Sequence, residues 1–181
     1  MDEREETTPQ AIAPGSFLLA RSPLEGSYFQ DKIVLLLSYA PNDGAMGVVV
    51  NNGVRMPVTE VFPDVPKRHG TVRTFFLGGP VDEGRIQVVQ FAKGGAEGDD
   101  SPARNRVDVA DTDALVAALD QPDVHVFLGY SGWSPSQLEG EIAEGDWELF
   151  SANPLEVLLR GESLIGVKPE EFKRTFQGGT P

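Results

Sequence analysis

The sequence predicts an α+β fold. Apolar runs of strand length crowd the first half of the chain and capped helical segments crowd the second. The two kinds do not alternate as a regular α/β fold requires. The length of 181 residues fits one domain, and 40% hydrophobic residues suffice for a sizeable core. The 20 glycines and 14 prolines imply frequent turns and short helices.

Residues 1–13 begin MDEREETTPQ and read as a flexible acidic arm, without the basic start and apolar run of a signal peptide. Ser16–Ala20 is a short strand closed by Ser22-Pro23. Lys32–Tyr39 is an almost unbroken apolar run, which predicts a strand buried on both faces. Pro41-Asn42-Asp43-Gly44 makes a turn, and Ala45–Val50 is a second buried strand pairing antiparallel with the first. Asn51-Asn52-Gly53 stops it, and Asn-Gly predicts a tight turn there because both residues tolerate positive φ. Val58–Phe62 is one helical turn before a Pro-rich loop. Thr71–Leu77 is a strand entering Gly78-Gly79-Pro80, and Ile86–Phe91 is the next strand.

Lys93–Arg104 reads as a mobile loop and Arg106–Val109 as a half-buried strand. Asp111 caps a helix whose Leu115, Val116 and Leu119 share a face. Val124–Leu128 is a strand, and Glu148–Ser151 a last short one. Asn153 caps a helix with Pro154 at its first position and Glu156 three residues after the cap, and Gly161 stops it. Pro169–Phe176 is a final helix, and 178–181 a frayed tail. The domain is thus expected to span 14–177.

The composition narrows the function classes. With no cysteine there is no disulfide, thiolate metal site or cysteine nucleophile. No apolar run approaches the ~20 residues of a membrane-spanning helix, so a cytoplasmic protein without a membrane partner is expected. The net charge of -13 repels phosphate backbones. The basic clusters at Lys67-Arg68-His69, Arg104-Asn105-Arg106 and Lys173-Arg174 are small, so nucleic acid is not the expected partner.

One stretch admits two chemical readings. In Gly129-Tyr130-Ser131-Gly132-Trp133 a serine sits between glycines after a strand and before a helix. A nucleophile elbow needs Gly-x-Ser-x-Gly; here the second glycine comes one residue early and Trp133 stands where a small residue is needed. The chain has two histidines, and His125 lies on the strand six residues before Ser131. At about 3.3 Å per residue the two side chains are far apart.

The packing reading explains more residues. Ser134 caps a helix, Pro135 takes its first position, and Gln137 completes a capping box. Leu138 and Ile142 share a face toward the sheet, and Gly145 ends the helix. Trp133 buries its ring while its N–H finds a partner. If Gly78-Gly79-Pro80 neighbours this turn, Gly78, Gly79, Pro80, Gly129, Tyr130, Ser131, Gly132, Trp133 and Gln137 form a candidate groove for a protein or small ligand.

Glu139, Glu141, Glu144, Asp146 and Glu148 crowd one segment, but no histidine joins them and a solvated face is the simpler reading. Asp99-Asp100 lies in the loop-like segment. No phosphate-loop or dinucleotide fingerprint is present. No catalytic residue, metal or cofactor is assigned.

The motifs GSFLLARSPL, GAMGVVVNN, FLGGPV and LGYSGWSPSQLEGEIAEGDW occur in an order and spacing that resemble the YqgE/AlgH family from about Gly15 to Val167. The resemblance implies a mixed or mostly antiparallel sheet bent into a barrel-like core with flanking short helices. It also implies a bacterial cytoplasmic protein without an agreed catalytic set; some members are labelled transcriptional regulators after a phenotype. Where relatives often have Glu-His this chain has Ser38-Tyr39, and where they often have His it has Gln90. A shared histidine site would fail here. The expected function is therefore a non-enzymatic regulatory or binding domain. The alternatives are a small hydrolase near Ser131 and a DNA-binding regulator.

Overall fold

The centre of the fold is set by the strands whose every side chain is apolar. The structure, a computed structural model, describes residues 11–67, 71–90, 111–121 and 124–177. Most of the acidic arm, His69, the Lys93–Arg104 loop, the Arg106–Val109 strand and the tail lie outside the described residues.

The strands are β1 (Phe17–Ala20), β2 (Ile33–Ala40), β3 (Gly44–Val49), β4 (Gly53–Pro57), β5 (Val72–Leu77), β6 (Val81–Gln90), β7 (Val124–Trp133) and β8 (Trp147–Phe150). The helices among the described residues are α1 (Val58–Val61), α2 (Thr112–Leu119), α3 (Gln137–Ala143), α4 (Pro154–Leu158) and α5 (Pro169–Gln177). The sheet order is β4-β5-β7-β3-β2-β1-β8, with β6 added on β7. β5 and β7 pair in parallel and the other pairs are antiparallel. This mixed sheet curls into a half-barrel within a single α+β domain.

Alternation along β2 explains its unbroken apolar run. Ile33, Leu35 and Leu37 face one layer, where Val157, Leu158 and Phe172 from α4 and α5 cover them. Val34 and Leu36 face the opposite layer against Leu138 and Trp147. A third layer packs Val58, Leu115, Val116 and Leu119 of α1 and α2 on Phe75, Val88 and Val126. The Asp111 cap forms as expected, its side chain accepting from the Ala114 amide at 3.1 Å. The Asn153 cap accepts from Leu155 and Glu156. No helix among the described residues is long and apolar enough to cross a membrane.

Several strand bounds differ from expectation, and one strand was not expected. β6 begins at Val81, five residues early, because a register shift between Val81 and Ile86 lets its start pair with Tyr130. β7 runs past Leu128 to Trp133 because β3 offers its second half a new partner. β8 begins one residue early at Trp147, which pairs with Ala20. β4 has no counterpart among the expected strands; its pairing with β5 compensates for its weak pattern, GVRMP.

The Asn51-Asn52-Gly53 segment is not a hairpin turn. Neither Asn52 nor Gly53 has positive φ, and β3 and β4 pair with different strands. Asn51 is instead buried as a junction. Its Oδ1 accepts from the Ile33 amide at 2.9 Å, and its Nδ2 donates to the carbonyls of Asp31 and Val167, each at 2.8 Å. Its own carbonyl accepts from the Gly166 amide at 3.0 Å. One amide side chain thereby ties the start of β2 to the segment leading into α5. Truncating it strands three backbone groups, so Asn51→Ala is expected to lower unfolding free energy by about 2–4 kcal/mol in urea titrations with an unchanged m-value.

Candidate functional site

β7 serves two partners in succession. Its first half pairs with β5 and β6, and from Ser131 onward it pairs with β3. Gly129 stands between the halves at φ +71, a conformation that favours glycine. A Cβ on Gly129 would lie 2.6 Å from the Gly79 carbonyl oxygen. A Cβ on Gly79 would collide with the Tyr130 carbonyl, and one on Gly78 with the Gly129 carbonyl. The two glycine segments thus touch backbone to backbone.

Hydrogen bonds close this seam. The Gly78 amide donates to the Leu128 carbonyl at 2.8 Å. The Gly78 carbonyl accepts from the Val49 amide at 2.9 Å and from Ser131 Oγ at 3.1 Å. Ser131 is fully buried, 0% exposed. Its hydroxyl is committed to a carbonyl and has no path to a substrate. Among the described residues no group of three or more His, Cys, Asp or Glu is placed to hold a metal ion.

Trp133 faces away from this seam. It is buried, and its Nε1 donates to Glu141 Oε2 at 2.7 Å. Trp147 Nε1 donates to the same oxygen at 3.0 Å, while Gln137 Nε2 donates to Glu141 Oε1 at 3.1 Å. Phe29 stacks on Trp133 and sets its edge against Trp147. Glu141 therefore fastens α3 to β7 and β8, and the indole of Trp133 is spent in packing rather than lining a groove with Tyr130.

Half of the expected capping box forms. α3 starts at Gln137, preceded by Ser136 at φ +67, and not at Pro135. Gln137 Oε1 accepts from the Ser134 amide at 3.0 Å, as a capping box requires. The reciprocal bond is absent: the Ser134 hydroxyl turns to Gln137 Oε1, and the Gln137 amide bonds the Ser134 carbonyl. β7 extends to Trp133, so the chain needs this tight turn before the helix can begin.

The remaining expected residues reach the surface. Pro80, Gly132 and Gln137 are exposed, and Tyr130 is half-buried with the Arg85 guanidinium 5.5 Å from its ring centre. Across the sheet Gly132 pairs with Met46, and Met46 with Ser38. Gly132 has no side chain, so Met46 and the Tyr130 ring stand on either side of a notch. Beside it lies an open cavity of about 340 Å³ lined by Ser38, Tyr39, Asp43 and Met46. Sequence reasoning missed these residues because strand register alone brings β2 and β3 alongside Gly132. The Tyr39 hydroxyl donates to Glu139 of α3, and this hydrogen bond raises the Tyr39 pKa.

Four sequence motifs, a mixed half-barrel sheet and a glycine seam at its centre narrow the kinship. A sequence profile described as AlgH-like matches residues 17–164. The chain belongs to the AlgH-like family. It is 33% identical over 159 residues to UPF0301 proteins of Mycobacterium tuberculosis and Mycobacterium avium, covering 83% of this chain and 77% of each relative. The solution structure of AlgH from Pseudomonas aeruginosa superposes with a TM-score of 0.65 at 23% identity, over 92% of this chain and 89% of that one. A crystal structure from Corynebacterium diphtheriae gives 0.57 at 23% identity, over 80% and 78%. The resemblance read from the motifs is thereby borne out, and so is the fold it implied.

The seam and the helix predict opposite responses to one methyl group. Gly79→Ala should cost more than about 2 kcal/mol through collision and strain. Gly140→Ala on α3, where a Cβ meets nothing within 4 Å, should gain up to about 1 kcal/mol; thermal melts of both variants check this. Because folding raises the Tyr39 pKa, the Tyr39–Glu139 contact is fully present at neutral pH and is lost only as pH rises through that pKa. Absorbance titration should show a late tyrosine phase that moves earlier in Glu139→Gln.

Proposed function

We propose that this chain is a non-enzymatic regulatory domain of the cytoplasm that binds a partner protein at the notch around Gly132. The observation that supports this most is the division of labour within one short stretch. Ser131 and Trp133 are buried and committed to internal hydrogen bonds, while Gly132 and Pro80 are exposed and Tyr130 is half-buried beside them. The hydroxyl a hydrolase would need is used to close the seam. The outward set has the character of a recognition surface: an aromatic ring with a guanidinium over it, an adaptable thioether, and an open cavity alongside. The candidate set narrows accordingly to Pro80, Tyr130 and Gly132, with Met46 and Ser38 added.

A regulator label among relatives fits this reading if the effect on transcription passes through a protein partner. The net charge of -13 disfavours direct contact with phosphate backbones.

Gly132→Arg fills the notch without straining the fold, since a Cβ there sits 3.4 Å from Tyr130 Cε2, in ordinary contact. In affinity capture from native lysate, partners retained by the wild-type chain should be lost with Gly132→Arg, while its melting temperature stays within a few degrees. Identical capture by both proteins would overturn the notch as the binding surface. A stable complex with duplex DNA at low salt would overturn the protein-partner reading.

A further inference from the structure

The surface where α1, β5 and α2 meet is indented. An open cavity of about 130 Å³ lies there, lined by Val58, Val65, Val116 and Leu119 with Arg73, and rimmed by the exposed Thr71, Val72 and Asp120. This cavity lies apart from the Gly132 notch, so a ligand in it is independent of any partner at the notch.

The polar side of the cavity carries an unusual charge. Arg73 reaches from β5 to the end of α2, where Nη1 donates to the Leu119 carbonyl at 2.6 Å and Nη2 donates to the Val124 carbonyl. A guanidinium has five N–H donors, and among the described residues two of them are bonded in this way. Among the described residues no carboxylate lies within ion-pair distance of Arg73. Burial lowers its pKa, and the charge of Asp120 partly opposes that shift. A half-buried cation is thus held by carbonyls, with valine and leucine side chains lining the same cavity.

We propose that this cavity binds a small monocarboxylate with a short branched body, its carboxylate on Arg73 and its hydrocarbon against Val58, Val65, Val116 and Leu119. Guanidinium matches a carboxylate with paired donors. Asp120 opposes the ligand's charge and limits affinity.

The test is calorimetry and methyl NMR on the full chain at low salt with 3-methylbutanoate, its amide and the corresponding amine as probes. The carboxylate should bind saturably and shift the methyl signals of Val58, Val116 and Leu119. The amide should bind at least about tenfold more weakly, and the amine not at all. Asp120→Asn should tighten carboxylate binding severalfold by removing the opposing charge. Val116→Phe should fill the space and abolish binding while two-state unfolding is retained. Neither substitution removes the bonds Arg73 makes to the backbone, so loss of binding is separable from loss of fold. The proposal is overturned if the amide binds as well as the carboxylate or if Val116→Phe binds like wild type. It is likewise overturned if no probe saturates by about 10 mM.

Discussion

The backbone of Gly78-Gly79 lies so close to that of Gly129-Tyr130 that no Cβ fits between them, and the remaining architecture is arranged around this contact. Gly78 joins β3, β5 and β7 at one point through Val49, Leu128 and Ser131. β7 can change partners there because Gly129 takes a left-handed conformation. One long strand thereby belongs to both halves of the curled sheet. β7 is the strand through which the β4-β5-β6 portion is hydrogen-bonded to the β1-β2-β3-β8 portion.

Two polar side chains perform at a distance what the glycines do at the centre. Asn51 satisfies three backbone groups where strand ends and a helix-bound loop converge. Glu141 accepts from both indoles of the chain and fixes α3 over the sheet. Each is a partly or fully enclosed polar group whose hydrogen-bonding capacity is used, which favours one packing over near alternatives. The surface then inherits its shape from the interior. With Trp133 committed to the layer of Leu138 and Trp147, Tyr130 turns to the opposite layer, where it is half-buried, and Gly132 is left exposed.

Much of the fold is legible in the residues. The apolar run of β2 announces burial on both faces, and Asp111 and Asn153 announce their helices, because these signals are local. The contact between the two glycine turns is also within reach of the sequence, but for an incomplete reason. By local pattern Gly129 and Gly132 form one turn docking a helix, whereas in the fold Gly129 bends a strand and Gly132 opens a notch. The weakly patterned β4 and the early start of β6 leave no such signal, since each exists through pairing with a distant strand. The notch is only half visible: Tyr130 and Gly132 stand in the motif, while Met46 and Ser38 enter through register.

The sequence by itself determined the α+β class, the kinship, the doubly buried central strands and the capped helices. These follow from hydrophobic periodicity and capping chemistry acting over a few residues. Only the tertiary structure decided that Ser131 is sealed, that Trp133 shares a carboxylate with Trp147, and that Arg73 lines an open cavity. Each of those depends on which remote strand or helix arrives beside the residue, and long-range pairing leaves no local mark on the chain.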